Sequence, residues 1–300
     1  MHRDNVAIRT ETQQHSFDDL LNRSANMAGL LLDGAADLEE ARVAFLVPAG
    51  FDYVTTQWGI WRAGGIAVPL SQSATEPELE YTLTDSQVNG VVARRDTADQ
   101  VRTLCARHDL RLMLVDDIDT GPAISLPAIG LPAIGADRRA MILYTSGTTS
   151  KPKGVVSTHA NIEAQITALI DAWGWQSSDS IPLFLPLHHI HGIINVMSCS
   201  LWTGATFEPF AKFDLTAVTD RVAAGVYSVF MAVPTIYVKL IQGIEAMSDR
   251  HRDQVIEGFR KMRLMVSGSA ALPVTIHQQW TALTDQILLE RYGMTEIGMA

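Results

Sequence analysis

Residues 143–154 read LYTSGTTSKPKG, and this stretch decides the fold. The apolar run at 141–144 reads as a short buried strand. It leads into Thr145, Ser146, Gly147, Thr148, Thr149 and Ser150, then Lys151, Pro152, Lys153 and Gly154. Hydroxyls, glycines and two lysines in a loop after a strand suit a polyphosphate. Glycine lets the backbone come close to an anion, backbone N–H groups turn inward, and lysine supplies point charge. Apolar spacing over 159–173 predicts a helix after the loop, capped by Ser157 or Thr158. The expectation is that this helix N-terminus adds partial positive charge at the loop.

The loop does not follow the pattern G-x-x-x-x-G-K-[ST]. Six residues separate Gly147 from Gly154, and both lysines precede the second glycine. The alternative is a Ser/Thr/Gly-rich surface loop. The strand before it, the helix after it and the Lys-Pro-Lys-Gly ending favour a phosphate-binding loop.

Working outward, strands are expected at 43–48, 66–70, 90–93 and 110–115, alternating with helices at 17–32, 51–63, 76–83 and 97–108. Thr75 can cap the third helix, with Pro77 in its first turn. The second half alternates too. Strands are expected at 181–187, 206–207, 229–233, 264–266 and 287–292. Helices fall at 193–202, 216–224, 235–247, 250–258 and 274–283. Such alternation predicts an α/β protein of two doubly wound, mostly parallel sheets with flanking helices. The expected division is 1–117 for the first part and 139–300 for the loop and second unit. Between them, 118–138 forms a Pro/Gly linker with a tandem LPAIG at 126–135. Ligands of such sheets bind at the carboxyl ends of strands.

Composition fits a globular enzyme: of 300 residues, 47% are hydrophobic and 19% charged. A net charge of -10 argues against a nucleic-acid partner. Two cysteines, Cys105 and Cys199, make no disulfide framework. No charge-free stretch reaches a membrane-spanning length, and MHRDNVAIRTETQQ has neither signal nor transit character. A cytoplasmic setting is the expectation.

Two further stretches carry chemistry. FLPLHHIHG at 184–192 offers His188, His189 and His191, without a cysteine or carboxylate cluster to complete a metal site. Capping a strand end is the structural alternative. ERYGMTE at 290–296 supplies Arg291, Tyr292, Gly293, Met294, Thr295 and Glu296.

Together the three motifs, in this order, resemble the adenylate-forming superfamily of acyl-CoA synthetases, luciferases and peptide-synthetase adenylation domains. The opening region (SFDDLLNRSANMAGLLL, then YVTTQWGIWRAGGIAVPL) is similar as well, so the resemblance covers nearly the whole chain. It implies that residues 145–153 hold the phosphates of ATP, with Lys153 active in catalysis. Gly268, Ser269 and Ala270 would line the adenine and acyl sites, with Tyr292 and Gly293 beside the adenine. Thr295 would contact the α-phosphate and Glu296 would bind Mg²⁺. His189 would gate the acyl pocket, which His191, Ser267 and Met294 would line. The family has Gly where this chain has Ser150, and a positive φ there would cost Ser roughly 1 kcal/mol.

The acyl motif has no Asp to hold an amino group, which disfavours α-amino acids. RLMVSGSAALP at 263–273 and LLERYGMTEIGMA at 288–300 are similar to malonyl-CoA synthetases. That resemblance assigns Arg291 and Lys239 to malonate's distal carboxylate, a group that needs cations if buried. The alternative is a surface lysine and an arginine paired with Glu290 or another acid. The implied function is ATP-dependent activation of malonate, then transfer to coenzyme A. The alternatives are a medium- or short-chain fatty acyl-CoA synthetase, a ligase loading a carrier protein, and an inactive nucleotide-binding remnant. The family continues past the position of Ala300 into a small C-terminal domain, so this chain alone is expected to be weak or inactive. Oligomeric state is not read from the sequence.

Overall fold

The computed structural model describes residues 3–120, 130–145 and 151–299. Its contacts divide into two compact units. One holds His15–Ala164 and Pro186–His189 with Met1–Asn5. The other holds Val6–Gln14, Gln165–Leu185 and Ile190–Ala300.

The first unit is built on one six-stranded sheet. Its order is Arg111–Leu114, Gly90–Ala93, Arg42–Leu46, Ile66–Pro69, Arg139–Thr145, Lys153–Thr158. The first five strands are parallel and the last is antiparallel. Parallel strands covered on both faces read as unbroken apolar runs, and Gly90–Ala93 and Ile66–Pro69 are buried throughout. Helix Phe17–Leu32 opens on a capping box between Ser16 and Asp19, and Glu76–Asp85 on one between Thr75 and Glu78. Phe17–Leu32 and Phe51–Arg62 cross closely at Gly59, where a Cβ would lie 2.4 Å from Met27 Cγ.

The second unit has two hydrogen-bonded sets of strands. Val6–Arg9, Thr206–Pro209 and Ser180–Leu183 pair in parallel, and Gln14–Ser16 flanks the first. Val229–Ala232, Leu264–Ser267 and Leu289–Glu290 form the other parallel set. Its core is aromatic: Trp280 packs edge-on against Phe259 at 4.9 Å and Tyr237 at 5.1 Å. Buried Asp179 accepts hydrogen bonds from Ser228, from Arg263 and from the Gln176 amide, which holds its carboxyl below the usual range despite burial.

The expected α/β architecture of mostly parallel sheets is present, with three departures. The second unit's strands do not form one continuous ladder, and its first strand comes from residues 6–9, to which the sequence reading assigned no element. Arg139–Thr145, grouped in the sequence with the second half, pairs with Ile66–Pro69 in the first sheet. Lys153–Thr158 is a strand, not the approach to a helix. It runs back from Lys153, opposite Thr145, to Thr158, opposite Arg139. The helix His159–Trp173 therefore starts roughly 17 Å of strand away from the loop. Its N-terminal partial charge, which decays within a turn, does not serve the loop. The cap itself is as read: Thr158 Oγ1 accepts from the Asn161 amide at 3.1 Å.

Candidate functional site

In the first unit, the candidate phosphate loop joins the carboxyl end of Arg139–Thr145 to the start of Lys153–Thr158. Ser146, Gly147, Thr148, Thr149 and Ser150 lie outside the described residues. The flanks are well defined. Thr145 closes the strand with its Oγ1 buried and no hydrogen-bond partner. Lys151 and Lys153 are exposed, and the Lys151 ammonium lies 5.7 Å from the Tyr81 ring centroid. Tyr81 donates its hydroxyl to the Pro152 carbonyl at 2.9 Å. Beside it, Tyr144 donates to Asp85 at 2.7 Å, and burial pushes its phenol up.

Tyr144, Thr145 and Pro152 line a concavity of about 270 Å³ with Ser71, Glu78 and His188. His188 is placed by its neighbour: Leu187 is buried, and its carbonyl accepts from the Tyr53 hydroxyl. Burial, then the nearby His189, pushes His188 down to about 4, so its ring is neutral at pH 7. His189 is exposed, and its ring is tilted 51° to that of His188 with centroids 4.1 Å apart. Tyr81 and Tyr144 were given no functional role in the sequence reading, and His188 was offered there but assigned no place in a binding site. They come from three separate segments, and only the second histidine of the motif was singled out beside His191.

In the second unit, Arg291 is 8% exposed. The residue before it cannot neutralise it. Successive residues of a strand point to opposite faces, and Glu290 instead accepts from the Leu272 amide at 2.9 Å. Arg291's backbone amide bonds Ser267, continuing the sheet. Its guanidinium lies flat against Gly268, where a Cβ would come within 2.5 Å of Nε. Gly268 was expected to admit a flat ligand group, and the flat group it admits is this guanidinium. Nη1 meets the Met299 sulfur, Nη2 lies 3.5 Å from Ser269 Oγ, and Nε is buried without a partner. Among the described residues Arg291 meets no carboxylate, and burial pushes its pKa down to about 10.

Ser269 links this cation to His191, whose Nδ1 lies 3.0 Å from Oγ. His191 is 3% exposed, with Nε2 unpartnered, and burial and the Arg291 charge hold it well below its usual pKa. His191 opens a π-helix, His191–Ser198, where an ordinary helix was expected. Such wide turns recur at functional sites. Asn195, four residues on, is fully buried with both amide atoms unpartnered, and Ser267 Oγ is unpartnered as well. Buried polar atoms without partners are costly, and each calls for a partner such as a water or a ligand.

The remaining assigned residues sit apart from this cluster. Ala270 is exposed beside Ser269. Lys239 is exposed and lines a separate concavity of about 480 Å³ with Phe213, Leu215, Gln242 and Gly243. Gly293–Met294 pairs with Gly298–Met299 in a hairpin that carries Thr295 and Glu296 at its tip. Gln165 grips the hairpin through the Met299 amide at 2.6 Å. Tyr292 is 68% exposed and Glu296 exposed. Among the described residues no three His, Cys, Asp or Glu side chains converge as a metal site. A lone exposed carboxylate does suit Mg²⁺, which binds through one or two carboxylates plus phosphate oxygens. No helix of the described residues is long and apolar enough to cross a membrane.

Comparison with known proteins fits this anatomy. The chain belongs to the AMP-binding enzyme family, whose pattern matches residues 1–300. It is 40% identical over 310 residues to "malonate–CoA ligase ACSF3, mitochondrial" of Homo sapiens, covering 99% of this chain and 54% of that protein. To a malonate–CoA ligase of Arabidopsis thaliana it is 33% identical, covering 99% of this chain and 54% of that protein. Among solved structures, ATP-bound MatB of Rhodopseudomonas palustris matches with a TM-score of 0.86 and 29% identity, covering 99% of this chain and 58% of that one. The chain spans about half the length of the curated relatives it matches.

Proposed function

We propose that this chain is the large-domain portion of a ligase that activates malonate with ATP and transfers the malonyl group to coenzyme A. One observation carries the choice of acid: Arg291 is buried with no counter-charge among the described residues, tied through Ser269 to His191. A folded protein keeps such a cation only at a cost of several kcal/mol, which an anionic ligand offsets. A fatty acid's methyl end offers no anion, whereas malonate's second carboxylate does. Arg suits it through two parallel hydrogen bonds. The curated relatives of Homo sapiens and Arabidopsis thaliana, named as malonate–CoA ligases, support the same reading.

In the proposed reaction a malonate oxygen attacks the α-phosphorus of ATP, releasing pyrophosphate and leaving malonyl-adenylate. The coenzyme A thiol then displaces AMP. Both partners of the first step are anions, so charge neutralisation and positioning are the main tasks. Lys151 and Lys153 would meet the phosphates, with Thr145 and the rest of the loop closing on them. Thr295 would contact the α-phosphate and Tyr292 would cover the adenine. Glu296 would hold Mg²⁺, which would supply positive charge to offset the negative charge of the phosphates. His189 would gate the acid's entry, and Lys239 would add positive potential. A cytoplasmic setting belongs to the proposal. The human relative is named as mitochondrial, and fractionation of the source cells decides between the two.

The test is an acid panel on the full natural protein with ATP, Mg²⁺ and coenzyme A, reading pyrophosphate release and thioester mass. Malonate is expected to lead acetate, propanoate and octanoate by at least tenfold in kcat/KM. Equal or faster turnover of octanoate would refute the choice of acid. Pyrophosphate release without a coenzyme A thioester would refute the acceptor.

A further inference from the structure

The two ring nitrogens of His191 are in different situations. Nδ1 lies 3.0 Å from the Ser269 hydroxyl, whereas Nε2 is buried without a partner. A neutral imidazole holds one proton, so one nitrogen donates and the other accepts. Ser269 Oγ also lies 3.5 Å from Nη2 of Arg291. A guanidinium only donates, so the hydroxyl accepts there. Ser269 is exposed and its oxygen has two lone pairs, so Nδ1–H donating to it is the competing arrangement. That tautomer would leave Nε2 a buried acceptor with nothing to offer an anion, whereas an Oγ–H···Nδ1 bond leaves Nε2–H as a donor.

We infer that Ser269 is a positioning residue that fixes His191 as the Nε2–H tautomer, so that His191 and Arg291 offer only donors to the ligand. Donors alone select an acceptor-only group. Resting on the malonate reading, that group is the second carboxylate of a short dicarboxylic acid. A monocarboxylate of the same length would leave Nε2–H and the guanidinium buried and unpaired. Polar sites reject analogues strongly for that reason.

The backbone supports a specific role for this hydroxyl. Ser269 has φ 66°, a left-handed conformation that costs residues with a Cβ. Serine there carries strain that glycine would avoid. Strain of this kind collects at sites where a side chain is needed.

Two measurements test the relay. The first is the tautomer of His191, read by two-bond ¹H–¹⁵N correlation on ¹⁵N-histidine-labelled protein, with His191→Gln to assign the signal. The Nε2–H form is expected in the wild type, and loss of its fixed population in Ser269→Ala. An Nδ1–H form in the wild type would overturn the inference. The second is the malonate-to-propanoate ratio of kcat/KM in the full natural protein. Ser269→Ala is expected to lower it about tenfold. Ser269→Gly, which relaxes the backbone, should lower it equally. In a His191→Gln background, the further effect of Ser269→Ala should shrink to about twofold or less. An unchanged ratio in both serine variants would also overturn the inference. If the wild type fails to turn over malonate, the functional reading falls, and the tautomer spectrum still decides the relay.

Discussion

The two units hold their cations in opposite ways. At the phosphate loop of the first unit, Lys151 and Lys153 stand in solvent, and Lys151 touches a ring face rather than a carboxylate. In the second unit Arg291 is 8% exposed and, among the described residues, also meets no carboxylate. Exposed lysines cost folding almost nothing, and water weakens their grip, as suits a group that binds and then releases phosphates. A buried arginine is costly in the empty protein and strong once paired. Under the proposed function, the first arrangement serves turnover and the second serves choice of acid.

The sharpest way to break this contrast is Arg291→Met. Malonate kcat/KM should fall by about 100-fold or more, since truncating one side of a buried charge pair costs about 2–5 kcal/mol. The ligand-free protein should become more stable by about 1–3 kcal/mol, because an apolar chain of similar length replaces an uncompensated charge. Urea unfolding without ligand, beside steady-state kinetics, reads both signs. Joint loss of stability and activity would mean that Arg291 is structural.

Acid sharpens the contrast through the histidines. His188 titrates at about 4 in the folded chain against 6.5 ordinarily. Between these values the unfolded chain binds more protons, so stability rises with pH. The contribution is complete above about 6.5 and is lost as pH falls through about 4, to a limit of roughly 3 kcal/mol. His191 is shifted in the same direction, so His188→Gln should reduce the slope rather than abolish it. A pH 4–7 series of unfolding midpoints checks this. An unchanged slope would mean that His188 is not buried in solution.

Gly268→Ala separates activity from stability. Its new Cβ would meet the Arg291 guanidinium at 2.5 Å, the far end of a side chain that can swing away. Stability should change by less than about 1 kcal/mol. Malonate kcat/KM should drop about tenfold, because a small misplacement of a positioning group is costly to the reaction. A drop in thermal midpoint of more than about 5 °C would show that Gly268 is needed for packing instead.

Elements formed by local rules were legible in the sequence. Thr75 with Pro77 in the first turn, and Thr158 with its following helix, announced their helix starts, and apolar runs such as 90–93 announced buried strands. What failed was non-local. Val6–Arg9 earns its place by pairing with Phe207, about two hundred residues on. Lys153–Thr158 shows no clean alternation because this antiparallel edge of the sheet is largely exposed. The π-helix was not legible because His191–Met197 is buried on every side, so no apolar period separates i→i+5 from i→i+4 bonding. Of the candidate site, Arg291 and His191 were chosen from motifs, but their shared Ser269 contact depends on a left-handed backbone that no residue type signals. Glu290 as Arg291's partner could have been dismissed beforehand, since neighbours on a strand face apart.

The smallest expected effect concerns the exposed cations. The Tyr81 hydroxyl bonds the Pro152 carbonyl, and its ring lies under the Lys151 ammonium. Tyr81→Phe removes the hydrogen bond and keeps the ring. A single neutral hydrogen bond is worth about 0.5–1.5 kcal/mol, and at this partly exposed site the lower end applies. The KM for ATP should rise about two- to threefold, with the malonate KM unchanged. Tyr81→Ala also removes the ring, and an exposed cation–π contact adds about 0.5–1 kcal/mol. It should raise the ATP KM about fivefold or more. If the two variants shift the malonate KM instead, the separation of tasks between exposed lysines and buried arginine is wrong. If Phe and Ala behave alike, the hydroxyl holds the exit of the loop and the ring contributes nothing.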